Sequence, residues 1–108
     1  MRKENSTNHI NEKLLESFCN THKILSQITG RWKVSIIFSL KGDPKSYSEL
    51  KLAIPHLTDR ILTKQLKELQ LDEIIENEKD KSKSIYHLSS KGNKILQLLE
   101  FINQLELP

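Results

Sequence analysis

The sequence predicts a mainly α-helical domain that carries one small β-hairpin. Three observations predict it. Apolar residues recur at helical spacing through most of the 108-residue chain. Two helix starts with side-chain caps, at Ser46 and Thr58, flank a tight turn at Pro55-His56-Leu57. After Asp72-Glu73 the period changes to alternation, and at Ser89 it returns to that of a helix.

The elements follow in order. Residues 1–10 are polar and are expected to form a flexible arm, with one domain over 11–108. Ile10, Leu14, Leu15 and Phe18 mark a first helix. A break near Cys19-Asn20 is expected to precede a second, with Ile24, Leu25 and Ile28 on one face, and Gly30 ends it. Trp32, Val34, Ile36, Ile37, Phe38 and Leu40 make the next helix apolar nearly all round, as suits the most buried one. Gly42 is placed for a left-handed C-terminal cap, and Pro44 follows as a stop. Ser46-Tyr47-Ser48-Glu49 reads as a capping box, opening a short helix with Tyr47, Leu50 and Ile54 inward. Thr58 caps the next helix, 58–71, whose inward stripe is Leu62, Leu66 and Leu69; Leu57 and Leu62 form a hydrophobic staple across its start. Residues 74–89 read as two strands around a charged turn at Asp80–Ser82. Ser89 caps the last helix. Its apolar arc of Ile95, Leu96, Leu98, Leu99, Phe101, Ile102 and Leu105 is wider than one core contact needs, so part of it should face something else. A short helix, a three-residue turn, a longer helix and a charged hairpin make a winged helix-turn-helix.

Composition bounds the function. The net charge of +3 and pI of about 9.0 permit a nucleic-acid partner without establishing one. No apolar run approaches the roughly 18 residues of a membrane span, and MRKENSTNHINEK lacks the apolar core of a signal peptide. A lone cysteine excludes an internal disulfide and an all-cysteine zinc site, so a cytoplasmic location with no metal and no cofactor is expected. The four histidines are scattered, and no glycine-rich phosphate loop or triad signature occurs, so no enzymatic activity is expected.

The outward face of the 58–71 helix carries Asp59, Arg60, Thr63, Lys64 and Lys67. The second helix of a helix-turn-helix enters the major groove with its N-terminal residues at the base edges. There Arg60 can donate to guanine O6 and N7, and Thr63 can meet a thymine methyl or a base edge. Lys64 and Lys67 are better placed for phosphates. Asp59 should point at a base such as cytosine or steady Arg60. Lys79, Lys81 and Lys83 give the wing phosphate-binding charge, weakened by Glu76, Glu78 and Asp80. Ser46, Ser48 and Thr58 complete the expected DNA-facing set. The alternative is a winged-helix protein–protein module, which an apolar or acidic face would favour; the basic residues here favour DNA.

The stretch from Cys19 to Gly92 resembles the HxlR family of bacterial winged-helix transcription regulators. The matching residues are Cys19, Gly30-Arg31-Trp32-Lys33-Val34, Ser46-Tyr47-Ser48-Glu49-Leu50, Ile54-Pro55, Leu62 through Leu69, and Tyr86-His87-Leu88-Ser89 with Gly92. The resemblance implies a homodimer built from the terminal helices, reading a pseudo-palindromic operator, with an effector that the sequence does not name. Leu14, Phe18, Ile95, Leu98, Leu99, Ile102 and Leu105 are the expected dimer residues. It also makes Cys19 a candidate for sensing oxidants or electrophiles, placed beside an expected helix N-terminus that would favour thiolate. The chain departs from the family in Cys19-Asn20, where the family has Cys-Pro. It departs again at Glu73, where a glycine often follows the recognition helix and a left-handed cap would suit glutamate poorly.

Overall fold

The computed structural model describes residues 18–106. The first helix, α1, covers 18–28 of these, and α2 spans Arg31–Ser39. A two-residue strand, β1 (Lys45–Ser46), leads into α3 (Tyr47–Ala53), and α4 spans Asp59–Leu71. The wing strands are β2 (Ile75–Asp80) and β3 (Lys83–Leu88), and α5 covers Ser90–Asn103.

The capping chemistry read from the sequence is in place. Ser46 N–H donates to Glu49 Oε1 at 2.8 Å, and Glu49 N–H donates to Ser46 Oγ at 3.2 Å. Ile61 N–H donates to Thr58 Oγ1 at 3.2 Å, and Gly92 N–H donates to Ser89 Oγ at 2.9 Å. The turn between α3 and α4 is closed by His56 at φ 65°. Leu57 and Leu62, the staple pair, are both buried.

One core unites the elements. Ile36 and Ile37 of α2, Leu50 of α3, Leu62 and Leu69 of α4 and Ile74 at the base of the wing are fully buried. Tyr86 and Leu88 on one face of β3 join it, as the alternation predicts. The antiparallel sheet runs β1-β3-β2, with Ile75 opposite Leu88 and Asp80 opposite Lys83. The third strand, β1, was not expected. It pairs Lys45 with Tyr86 and Ser46 with Ile85, and a two-residue strand leaves no period to read.

Several expectations are corrected. Helix α1 continues without a break through Cys19 and Asn20, so Cys19 lies within a helix rather than before one. The hairpin turn is the two-residue loop Lys81-Ser82, with Lys81 at φ 45°, and Lys83 stands in β3. Helix α2 caps at Leu40; Gly42 is left-handed, at φ 84°, but stands two residues further on. Phe18, expected to end the first helix, lies in α1; Ile10, Leu14 and Leu15 of that helix, and the arm over 1–10, fall outside the described residues.

Candidate nucleic-acid interface

Helix α4 is fixed from three sides. Its leucine stripe enters the core. Near its N-terminus, Lys51 of α3 pairs with Asp59 (Nζ to Oδ1, 2.7 Å), and Tyr47 Oη donates to Asp59 Oδ1 at 2.9 Å. Tyr47 Oη also lies 3.3 Å from Thr63 Oγ1. Towards its C-terminal half, the nearly buried Lys33 of α2 pairs with Glu68 at 2.7 Å. Hydrogen bonds from Lys51 and then Tyr47 hold the Asp59 carboxyl below its ordinary value, and the bond from Lys33 does the same for Glu68.

These contacts change the expected part of Asp59. Its carboxylate Oδ1 is engaged by an ammonium and a phenol on α3 rather than by Arg60. Tyr47 and Lys51 were not singled out as site residues. The partners lie 12 and 8 positions from Asp59 across a turn, and no local spacing rule joins them.

Arg60, Thr63, Lys64 and Lys67 are all exposed and, with Asp59, line one shallow recess on the outer face of α4. Among the described residues, Arg60, Lys64 and Lys67 have no carboxylate within ion-pair distance. A second groove runs between the start of α3 and the wing, and it brings Ser46, Ser48 and Lys83 together. The Ser46 hydroxyl is already an acceptor in its capping box, and the Thr58 hydroxyl likewise caps α4; Ser48 is exposed. Lys79 and Lys81 are exposed on the wing and line neither depression. His87 of β3 lies 3.3 Å from Glu78 and 3.9 Å from Glu76 across the hairpin.

The expected dimer residues divide. Ile95 is 4% exposed and Leu99 8%, so both belong to the protomer's own core and not to an outer seam. Phe18, Leu98, Ile102 and Leu105 are exposed, and Leu25 of α1 and Phe101 of α5 are exposed beside them in the sequence pattern. Leu14 lies outside the described residues. Cys19 is exposed.

Comparison with known proteins gives a consistent picture. Residues 27–106 match the family model described as HxlR-like helix-turn-helix. The HTH-type transcriptional regulator YdzF of Bacillus subtilis is 38% identical over 81 residues, covering 70% of this chain and 73% of that protein. The structure of diamide-treated YodB from B. subtilis superposes with a TM-score of 0.72 at 28% identity, over 83% of this chain and 96% of that one. The redox regulator HypR in its reduced form gives a TM-score of 0.72 at 26% identity, over 79% of this chain and 87% of that one.

Proposed function

Because the chain belongs to the HxlR-like helix-turn-helix family of transcriptional regulators, we propose that it binds double-stranded DNA sequence-specifically, with α4 in the major groove and the lysine-bearing hairpin along the backbone. The observation that carries this reading is the outer face of α4, where Arg60, Lys64 and Lys67 are exposed without a carboxylate partner among the described residues. The acidic residue on that face, Asp59, is neutralised from α3 by Lys51. A face of this kind attracts phosphate, and Arg60 in the first turn is the residue best placed for a guanine edge. Ser46, Ser48, Thr58, Lys79, Lys81 and Lys83 fall to backbone contacts, the Ser46 and Thr58 hydroxyls being already engaged as helix caps.

The test is equilibrium binding to duplexes chosen from a random pool. Affinity should fall steeply with added salt. Arg60→Ala should narrow the gap between preferred and unrelated sequences. Lys67→Ala should weaken binding to all sequences and reduce the log–log salt slope by about 1. Absence of any duplex binding at low salt would sink the proposal.

The acting unit in this reading is a homodimer on a pseudo-palindromic site. Support comes from the exposed Phe18, Leu98, Phe101, Ile102 and Leu105, an apolar set at both ends of the described chain that water solvates poorly. Phe101→Glu should leave a folded monomer by light scattering; a dimer surviving that change would count against the assignment. A cytoplasmic location and the lack of any catalytic step follow from the same reading. Among the described residues no helix is long and apolar enough to cross a membrane.

An oxidant response at Cys19 is the finer part of the proposal. The thiol is exposed, and HypR is a redox regulator by name. With hypochlorite, the thiolate takes the oxygen and chloride leaves; the sulfenic acid then condenses with a second chain's thiol and releases water. DNA binding followed through a hypochlorite titration, beside Cys19→Ser, decides it: identical curves refute sensing at this residue.

A further inference from the structure

Thr63 stands in the second turn of α4 with its side chain exposed in the shallow recess, one turn beyond Arg60. A threonine at this place has two ways to read a base. Its hydroxyl can exchange a hydrogen bond with a base edge, or its methyl can pack on the C5-methyl of thymine. The two readings predict different sequence preferences, and the contacts of Tyr47 distinguish them.

Tyr47 Oη has one proton. Its nearest acceptor is the Asp59 carboxylate oxygen at 2.9 Å, which an ionised group holds more strongly than a neutral one would. That carboxylate stays ionised, being further bound by Lys51 at 2.7 Å. With the phenol proton committed to Asp59, the contact between Tyr47 Oη and Thr63 Oγ1 at 3.3 Å has only one possible donor, the threonine hydroxyl. The hydroxyl of Thr63 is thus turned back towards α3 and its proton is engaged there. With the hydroxyl so engaged, the methyl is the part of Thr63 available to the recess that Arg60, Lys64 and Lys67 also line.

We propose that Thr63 is a specificity-determining residue that selects thymine through its methyl group, with Tyr47 holding the hydroxyl away from the bases. The inference rests on the reading of α4 as the base-reading helix. It assigns Asp59 and Lys51 a positioning part: they fix the direction of the Tyr47 proton and so the orientation of Thr63. It also accounts for an acidic residue beside a DNA-facing surface without requiring it to touch DNA.

The experiment starts from the duplex that the full chain enriches from a random pool. Each thymine of one half-site is replaced in turn by deoxyuridine, which removes only the C5-methyl. At one position the wild-type chain should bind the deoxyuridine duplex about three- to fivefold more weakly, the size expected for one buried methyl contact. Thr63→Val keeps the methyl and loses the hydroxyl; it should retain both the affinity and that penalty. Thr63→Ser keeps the hydroxyl and loses the methyl; it should bind the thymine and deoxyuridine duplexes equally. The proposal is overturned if the wild type tolerates deoxyuridine everywhere. It is also overturned if Thr63→Ser keeps the penalty, or if Thr63→Val loses affinity while Thr63→Ser does not. Binding to no duplex at low salt is a different result, which removes the DNA-reading assignment itself. Thr63 is exposed, so none of these variants depends on repacking the core.

Discussion

Replacing Glu73 by glycine should stabilise the protein. Helix α4 ends in a Schellman motif: Ile74 N–H donates to Leu69 C=O at 2.9 Å, and Glu73 N–H donates to Gln70 C=O at 3.0 Å. The motif's apolar contact is supplied by Leu69 and Ile74, both fully buried. It requires a left-handed residue at the position Glu73 occupies, and Glu73 has φ 61°. A residue with a Cβ pays about 1–2 kcal/mol for that conformation. Glycine removes the cost but gains about 0.4–1 kcal/mol of unfolded-state entropy in exchange. The balance favours glycine by about 0.5–1 kcal/mol, or roughly 2–8 °C in Tm for a domain of this size. The side chain is exposed, so nothing is lost in packing, and the carbonyl that accepts from Ser89 Oγ is backbone and stays. Thermal unfolding by circular dichroism at fixed protein concentration measures the gain, because self-association would move Tm independently. Glu73→Ala is the control, since it removes the charge near the helix C-terminus but keeps the Cβ. If alanine matched glycine, the gain would be electrostatic; if glycine lowered Tm, the strain argument would be wrong.

Two further predictions concern stability. Gly92 lies in the first turn of α5, where a Cβ would overlap the Ile74 carbonyl oxygen, itself bound by Ser89 N–H and Ser89 Oγ, both at 3.0 Å. Gly92→Ala should therefore cost about 2–3 kcal/mol in urea unfolding, and a change of a few tenths would show that α5 shifts freely. Acid should destabilise the fold through Glu49, Asp59 and Glu68, whose carboxyls lie below their ordinary values because of the Ser46 backbone N–H, Lys51 and Lys33 respectively. The unfolded chain then takes up protons first as pH falls. Their contribution is whole at neutral pH and drains away below about pH 4–5, through the folded-state values. Asp59→Asn should flatten the fall of Tm over that acid range, and parallel curves for the two proteins would contradict the assignment.

Much of this fold is legible because its signals are local. The Ser46–Glu49 box, the Thr58 cap and the Leu62-Leu66-Leu69 stripe each span a few residues and need no partner element to be recognised. Tyr86 and Leu88 declare the inner face of β3 by alternation alone. What the pattern hides is non-local. The apolar arc read for the last helix has seven positions, of which Leu105 falls beyond the end of α5 at Asn103, and it does not show which of them α2 and β3 cover, so Ile95 and Leu99 read like Leu98 and Ile102 until the packing is known. The site was legible as a list of residues on one face of α4. The arrangement behind it was not, because Asp59 reads as a surface acid until Tyr47 and Lys51 are brought across the turn.

Those hidden contacts bear on how α4, the proposed recognition helix, is held. A leucine stripe gives α4 adhesion, but apolar contact is non-directional and resists rotation about the helix axis weakly. Polar contacts supply direction, and α4 has them in both halves: Tyr47 and Lys51 on Asp59, and Lys33 on Glu68. If the second pair serves to set rotation, Lys33→Met separates rotation from stability. Removing one partner of a buried pair is costly when the other charge stays buried. Here the Glu68 side chain is 38% exposed and can take up water, while methionine fills the space left by a lysine only 10% exposed. Stability should therefore change by less than about 1 kcal/mol. If α4 reads the bases as proposed, the ratio of affinities for the preferred and a scrambled duplex should fall several-fold, because Arg60 and Thr63 would meet the bases at a looser angle, whereas the salt slope should hold because Lys33 is not among the proposed phosphate contacts. A specificity ratio equal to that of the unaltered chain would mean that the leucine stripe alone fixes the angle at which α4 reads DNA.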